Sequence, residues 1–446
     1  MNRTFLLGAA AFLSAAAAHA QTTGSMTGGG AFNTDYPPEM HKFNIGSGGA
    51  GLPPLPPGPS ATFSTYFAVG SGQGQLAFLS DDLTCDADSP PYGNGGGCQG
   101  PAGGAGNTVS YAASDVAFDA AQIASWATAS FGQTAAANLI QLPSMGVGVA
   151  IPVDNAAIRA NGALTLSDDD LCGVFSGAIT DFSQIADSVT TPKPGPITVF
   201  YSTQEEGPSF WLTAHLAAVC NGNNSAITFA PTTDFASLFA GGVPGNFVPE
   251  AGNAAMASAM AGCGGSLPAG LGYLTPDYTT IDPKSQARIG CKLNGSNRSP
   301  LVVAGLDVGA TPYIPTVANI ARGLTSAVLG SDLVPPGNAG AGADPANWAP
   351  VVQTVSAGYP IVGYTLLDFA QCYADPTVSA AIPLFLADHY GARHYQSIEN
   401  ANGFVTLKQV AKTKYFATIK NNILANKRGW GDDIGDAAVC GGKKGR

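Results

Sequence analysis

Three polar segments of the chain carry side chains suited to binding a small solute. Ser71 lies in a glycine-rich turn, Asp115 follows a short apolar run, and residues 202–208 precede an apolar stretch with helical spacing. Hydroxyl groups and the backbone N–H groups at helix starts bind anions, whereas a carboxylate accepts a proton from the solute. A serine in a glycine turn is common, however, and an aspartate after a strand often caps a helix. Taken alone, these residues are weak indicators of a binding site.

The residues that could perform catalysis form no known catalytic motif. The sequence contains neither a G-x-S-x-G nor an H-E-x-x-H pattern. His215 falls on an apolar helical stretch, and His389 and His394 lie at a helix end and turn, where a cation suits the helix dipole. The carboxylates at residues 168–170 open a predicted helix, whose positive end accounts for them. We therefore expect no enzymatic activity, no cofactor and no metal site, with a phosphatase-like hydrolase as a less favoured alternative.

Composition and charge narrow the class of partners. Of the 446 residues, 45% are hydrophobic and 11% are charged, so the chain can build a core despite its 58 glycines. The formal net charge of −11 argues against nucleic acid and anionic membranes as partners. It also gives no long-range attraction for an anionic solute, which local donors and dipoles would have to hold. The length is typical of two or three domains.

The first twenty residues have the pattern of a signal peptide. A short positive start and an apolar run at residues 5–18 precede the small residues Ala18 and Ala20. The run is too short to span a bilayer comfortably, and no cysteine follows the cleavage site for lipid attachment. We expect a chain that is exported to the periplasm or secreted, without membrane insertion.

Eight cysteines in an exported chain predict four disulfides. Eight cysteines allow 105 pairings in principle, and no C-x-x-C pair supports the alternative of a metal site. Proximity along the sequence suggests the pairs Cys85–Cys98, Cys172–Cys220, Cys263–Cys291 and Cys372–Cys440.

Short apolar runs alternate with glycine turns and helical stretches, which predicts an α/β architecture. The runs at residues 109–113, 147–153 and 197–201 are predicted strands, and helices are expected from about residue 119 and over residues 209–220. Residues 21–60, 81–107 and 331–350 are rich in glycine or proline and are predicted to be extended or looped.

Several of these segments resemble, in order, the phosphate-binding proteins of ABC importers (PstS-like), and most closely the secreted DING subgroup. The stretches that carry the resemblance are residues 70–78, 113–115, 139–152, 171–177, 358–364 and 369–374, with the cysteines at 172, 220, 372 and 440. The resemblance implies a two-lobed periplasmic-binding-protein type II fold with two crossing strands. Carried over to this chain, residues 24–148 and 361–446 would form lobe one, and residues 149–360 lobe two.

The resemblance also implies a set of ligand-binding residues. Ser71 matches a serine that donates its hydroxyl and N–H to phosphate, and Asp115 matches the aspartate that accepts the proton of the monohydrogen anion. Phe32 and Asn33 stand in the loop where the family has a hydroxyl donor. These last two residues depart from the family pattern.

The larger departure lies in the third polar segment, where the family has an arginine followed by Ser-Gly-Thr. Here Ser202 takes the place of the arginine, Glu206 that of the serine and Pro208 that of the threonine, and only Gly207 remains. Losing a buried arginine–phosphate pair costs about 2–5 kcal/mol. A carboxylate about 4 Å from phosphate adds about 4 kcal/mol of repulsion at an effective dielectric near 20.

Three functions of an exported solute-binding protein follow from this altered site. The cleft can be filled by Glu206 acting as a built-in anion, which would make the protein a secreted scaffold or interaction protein. It can instead bind a cationic or neutral polar solute at Asp115, Glu205 and Glu206. Phosphate can also still bind, with a donor that the sequence does not identify. In each case we expect a monomer, with an ABC importer as a further partner in the transport role.

Overall fold

The computed structural model describes residues 26–31, 36, 39–40, 64–68, 70–81, 109–161, 164–185, 192, 194–220, 225–263, 269–281, 292–293, 296–297, 301–327, 335–391, 393–410 and 414–446. The strands are β1 (Met26–Gly30), β2 (Ser64–Ala68), β3 (Tyr111–Ser114), β4 (Leu139–Gly148), β5 (Pro152–Asp154), β6 (Thr165–Leu166), β7 (Thr198–Ser202), β8 (Phe247–Glu250), β9 (Gly270–Leu271), β10 (Lys292–Leu293), β11 (Ser296–Asn297), β12 (Val302–Val303), β13 (Gly305–Val308), β14 (Thr311–Tyr313), β15 (Val362–Ala370) and β16 (Val405–Thr406). The α-helices are α1 (Ser71–Ser80), α2 (Ala120–Thr128), α3 (Gln133–Ala136), α4 (Ala156–Asn161), α5 (Asp168–Ser176), α6 (Gly207–Val219), α7 (Gly252–Met260), α8 (Val317–Ser326), α9 (Ala339–Gly342), α10 (Pro376–Gly391), α11 (Arg393–Ala401), α12 (Tyr415–Asn422) and α13 (Ala437–Cys440).

A six-stranded sheet combines the N-terminal strands with strands from the end of the chain. Its order is β16-β4-β15-β3-β1-β2, with β1 parallel to β2 and β3 and with β15 antiparallel to both β3 and β4. Every residue of β4 and β15 is buried. The sheet therefore has two long central strands, and helix α1 packs at the ends of β1 and β3.

A second sheet is built from the middle of the chain. Its five strands run in the order β12-β5-β9-β7-β8, and β7 is parallel to both β8 and β9. A smaller sheet of β14, β13 and β6 and the hairpin of β10 and β11 accompany it. The predicted α/β architecture is thus present, with mixed sheets, and the lobe boundaries at residues 148/149 and 360/361 stay a prediction.

The chain passes from the first sheet to the second through residues 149–151. The sequence predicted one strand over residues 147–153, and this is wrong, because β4 ends at Gly148 and β5 begins at Pro152. Between them, Val149 donates its N–H to the Ile361 carbonyl at 3.0 Å, and the Tyr359 hydroxyl donates to the Val149 carbonyl at 2.6 Å. The two connections are therefore bonded to each other where they leave the first sheet.

The other predicted strands and helices agree with the structure to within a few residues, but residues 21–60, predicted to be extended or looped, contain strand β1 of the first sheet. Helix α2 begins after Asp119, whose side chain accepts a hydrogen bond from the Gln122 N–H in a capping box. Ser167 caps α5 in the same way, with all three first-turn carboxylates at its positive end. The segment 331–350 was predicted as a loop, but its described part contains α9 and a 3₁₀ turn at Pro345–Trp348, because Asn338 and Asp344 cap them.

Two of the four predicted disulfides lie within the described residues and are confirmed. Cys172 pairs with Cys220, joining α5 to the end of α6, and Cys372 pairs with Cys440. Cys263 is also disulfide-bonded. Its predicted partner Cys291, and both members of the predicted pair Cys85–Cys98, lie outside the described residues.

Among the helices of the described segments, none is long and apolar enough to span a bilayer. The predicted signal peptide, residues 1–20, lies outside these segments.

Candidate functional site

The start of α1 presents Ser71 to the end of the first sheet. Gly70 precedes the helix at φ +96°, a conformation that favours glycine, and its N–H donates to the Gly30 carbonyl at 2.8 Å. A Cβ on Gly74 would lie 2.3 Å from the Gly30 Cα, so the absence of a side chain lets the helix approach β1. Ser71 is fully buried, and its Oγ accepts a hydrogen bond from the Asp115 N–H at 3.0 Å.

Asp115 follows β3 and is also buried. Its Oδ1 accepts a hydrogen bond from the Thr365 hydroxyl at 2.5 Å, which fixes the carboxylate. Thr365 lies on β15, 250 positions further along the chain. Its role could not be predicted from local sequence.

Gly207 is the first residue of α6 and packs directly against Asp115. A Cβ at this position would lie 2.0 Å from Asp115 Oδ2 and 2.1 Å from its Cβ, so only glycine fits. Pro208 occupies the second position of the helix, where its missing N–H is harmless to the helix itself. The structure therefore brings Ser71, Asp115 and Gly207 together at the starts of two helices.

Glu206 lies immediately before α6 but does not cap it, because its side chain makes no hydrogen bond to that helix. The side chain instead approaches α7, where a Cβ on Gly252 would lie 3.5 Å from Glu206 Oε2. Glu206 is 1% exposed, and its carboxylate oxygens meet no donor in full hydrogen-bond geometry among the described residues, although the Ser202 hydroxyl and the Asn253 N–H lie near them. Desolvation by burial raises the pKa of Glu206 to about 8, and the charge of Asp115 adds to the rise, while the Ser202 hydroxyl and the Asn253 N–H oppose it.

Ser202 ends β7 at the base of the same segment. Its hydroxyl accepts a hydrogen bond from the Gln204 N–H at 3.1 Å, and its own N–H donates to the Tyr273 hydroxyl at 3.0 Å. Tyr273 also shares a hydrogen bond of 2.9 Å with the Ser209 hydroxyl. Burial raises the pKa of Tyr273, and the charge of Glu206 raises it further. Tyr273 is therefore a neutral hydroxyl that supports the segment, a role that the sequence did not indicate.

Glu205 extends in the opposite direction from Glu206, towards helix α1. A Cβ on Gly72 would lie 2.6 Å from Glu205 Oε2, so this exposed carboxylate lies over the first turn of the helix. Among the described residues, no ion pair to Glu205 or Glu206 is found. Phe32 and Asn33 lie outside the described residues, which resume at Tyr36 after Ala31.

Comparison with known proteins places this arrangement in a family. A model of the PBP superfamily domain matches residues 58–327. Alkaline phosphatase L of Pseudomonas aeruginosa is 32% identical over 97% of each chain. A phosphate-binding protein of an unknown prokaryotic organism is 31% identical over 90% of this chain and 99% of its own.

A solved structure supports the same relationship. The high-affinity periplasmic phosphate-binding protein PfluDING, bound with phosphate, is 29% identical over 95% of this chain and 99% of its own, with a TM-score of 0.69. Both the resemblance and the fold class predicted from the sequence are thereby confirmed. Two of these proteins are described as phosphate-binding proteins, whereas alkaline phosphatase L carries an enzyme name. The chain belongs to the phosphate-binding protein family of the PBP superfamily, in the group of PstS and DING proteins, and has their mixed α/β fold.

Proposed function

We propose that the protein is an exported solute-binding protein that binds orthophosphate in its monohydrogen form between the starts of α1 and α6. The observation that carries the proposal is the meeting of Ser71, Asp115 and Gly207, which come from three distant segments. Helix starts favour an anion through their backbone N–H groups and dipoles. The Asp115 carboxylate can accept the proton of a monohydrogen anion, which sulfate lacks at neutral pH.

The affinity is expected to be lower than that of a family member with a complete site. Ser202 stands where the family has an arginine, and the loss of a buried arginine–phosphate pair costs about 2–5 kcal/mol. This corresponds to about 30-fold to several thousand-fold in the dissociation constant. Pro208 removes one more N–H donor from the start of α6. We therefore expect a dissociation constant for phosphate in the micromolar to millimolar range, and not a submicromolar one.

Glu206 makes this binding depend on pH. The repulsion of about 4 kcal/mol considered from the sequence applies to an ionised carboxylate. Because the pKa of Glu206 is raised to about 8, the group is mostly protonated at neutral pH and can act as a hydrogen-bond donor. Above this pH the carboxylate repels phosphate, and the affinity falls.

Glu205 supports a second candidate function, that of a scaffold with a self-satisfied cleft. Its carboxylate lies over the first turn of α1, where a bound anion would otherwise receive the helix dipole. The predicted built-in anion would then be Glu205 on α1 rather than Glu206 on α6. In this case no phosphate binds at any pH, and replacing Glu205 by glutamine restores binding.

Calorimetric titration of the purified protein with phosphate at pH 6.5 and pH 9 tests the proposal. We expect saturable binding at pH 6.5, binding weaker by up to about tenfold at pH 9 when both dissociation constants are expressed for the monohydrogen anion, and little binding of sulfate. Ser71→Ala should weaken binding, whereas Ser125→Ala, an exposed serine on α2, should leave it unchanged. Equal affinity for phosphate and sulfate, or no phosphate binding by either the wild type or Glu205→Gln, would sink the proposal and leave a cationic or neutral solute as the ligand.

A transport role also implies where the protein is found and that it performs no catalysis. We propose that the protein does not hydrolyse phosphate esters, that its first twenty residues direct it to the periplasm or out of the cell, and that an ABC importer receives its solute from the monomer. Incubation with a chromogenic phosphate ester should give no turnover above a buffer blank. Turnover that is lost in Asp115→Asn would contradict this expectation.

A further inference from the structure

A buried polar cluster lies apart from the cleft residues described above. The His389 Nδ1 lies 2.8 Å from Glu39 Oε2 and 3.8 Å from Glu399 Oε1, and its Nε2 lies 2.7 Å from the Ser144 Oγ. The Tyr36 hydroxyl donates to the same Ser144 oxygen at 2.9 Å. The cluster joins the N-terminal segment, strand β4 and helices α10 and α11.

The contacts Ser144–His389–Glu39 have the order of a hydrolytic triad, but their burial excludes that role. Ser144 and His389 are each 1% exposed, and Glu39 is fully buried. A nucleophile must reach a substrate carbonyl or phosphoryl group, and a serine enclosed in this way cannot do so. The cluster is therefore closed to an organic substrate, whereas a single ion is small enough to occupy it.

We propose that Glu39, His389 and Glu399 bind one divalent transition-metal ion of the zinc type, which joins the N-terminal segment to α10 and α11. One ligand atom from each residue lies within 4.8 Å of the other two. Ligand atoms around a tetrahedral zinc ion, at bonds of about 2.0–2.1 Å, lie about 3.3 Å from one another. The observed 2.8 and 3.8 Å lie on either side of this spacing, so shifts of about half an ångström bring these two pairs to it. The two carboxylate oxygens lie within 4.8 Å of each other and would approach by up to about 1.5 Å.

The charges and the surrounding hydrogen bonds also suit such an ion. A dication balances the two carboxylates in a region with little access to water, where ionised groups are otherwise costly. Imidazole with carboxylates is a ligand set that zinc accepts, with a water molecule in the fourth position. When the His389 Nδ1 binds the metal, the ring proton is on Nε2. This N–H then donates a hydrogen bond to the Ser144 Oγ, as metal-bound histidines commonly do with a neighbouring oxygen.

The position of the cluster gives the ion a structural role. Glu39 and His389 are 350 positions apart, so the site forms only when the chain folds, and the ion would be taken up at that stage. The Tyr36 and Tyr66 rings lie 4.9 Å apart, and the Tyr66 hydroxyl donates to the Ala31 carbonyl at 2.5 Å. The ion would therefore hold Glu39, and with it Tyr36, against helices α10 and α11.

Zinc titration of tag-free, chelator-treated protein against a competing fluorescent indicator tests the proposal. We expect one equivalent of Zn²⁺ per chain, a higher melting temperature with zinc than with chelator, and affinity at least about tenfold weaker in Glu399→Gln. His215→Gln is the matched control, because His215 is a buried histidine that contacts a carboxylate elsewhere, Asp168 at 3.0 Å. It should keep the wild-type affinity.

Cobalt(II) provides a readout that does not depend on the folding of any variant. Binding to the wild type should produce the visible absorption of a four- or five-coordinate site with nitrogen and oxygen ligands. Substoichiometric zinc uptake by the wild type, an octahedral water-like cobalt spectrum, or equal zinc affinity in wild type and folded Glu399→Gln overturns the proposal. Phosphate binding is measured separately, so failure of the metal site leaves the proposed transport role unaffected.

Discussion

The pKa of Glu206 makes a quantitative prediction about stability. In the folded protein this pKa is raised from 4.5 to about 8, chiefly because burial removes water from the carboxyl group. The difference of about 3.5 units corresponds to about 5 kcal/mol of stability, at 1.36 kcal/mol per unit. The side chain is 1% exposed, so solvent screening reduces this figure little.

The sign follows from proton binding in the two states. Between pH 4.5 and about 8 the folded protein retains a proton on Glu206 that the unfolded chain has released, so the free energy of unfolding falls as the pH rises. Below this window both states are protonated, and above it both are ionised. The destabilisation is therefore absent at pH 4.5, grows through neutral pH and is complete above pH 8.

Glu206→Gln removes this dependence while keeping the size of the side chain. We expect the variant to gain about 4 kcal/mol over the wild type at pH 9, relative to their difference at pH 5, because part of the full effect is already present at pH 5. Urea unfolding of both proteins at pH 5, 7 and 9, in phosphate-free buffer, measures the difference in their free energies of unfolding. The contributions of the other titrating groups are the same in both proteins and cancel in this difference. Glu205→Gln, an exposed neighbour, is the matched control. A difference between Glu206→Gln and wild type that stays constant from pH 5 to pH 9 would refute the reasoning.

Two further substitutions have expected outcomes. Gly207→Ala should abolish solute binding and lower the melting temperature, because a Cβ there would lie 2.0 Å from a carboxylate oxygen, whereas Gly241→Ala, with nothing within 4 Å of its Cβ, should change neither. Arg446→Ala should lower the free energy of unfolding by about 3–5 kcal/mol, since it leaves Asp81 without the buried ion pair at 3.2 Å. Urea unfolding measures this loss, and an equal loss in the exposed Lys444→Ala would contradict the explanation.

Local sequence was sufficient where the signal is carried by a few neighbouring residues. The family pattern singled out Ser71, Asp115 and Gly207, and the structure brings these three residues together. Their role in binding a solute stays a prediction. The disulfide Cys172–Cys220 followed from proximity along the chain, and the structure contains it. These features depend on backbone conformations that short segments determine themselves.

Contacts between distant segments could not be predicted in this way. Thr365 reaches Asp115 across 250 positions, and Tyr273 reaches Ser202 across 71. His389 lies in the last turn of α10, as predicted, but its burial against Ser144 and Glu39 was not predicted, because these partners come from other parts of the chain. Nothing in the spacing of a single sequence records which residues meet across a sheet.

The predicted strand at residues 147–153 failed for a related reason. Strands β4 and β5 belong to different sheets, yet both are buried, so their apolar residues form one continuous run. No polar residue therefore interrupts the sequence at the point where the chain passes from one sheet to the other.

Strand β15 has a consequence for the order in which the protein can fold. It lies between β3 and β4 and forms antiparallel ladders with both, so these earlier strands do not pair with each other directly. The first sheet therefore cannot close until a ribosome has made about 370 residues and the exit tunnel has released them, and such distant pairing is slow. Until then the chain is not fully folded, and an unfolded chain can still pass through a translocation channel.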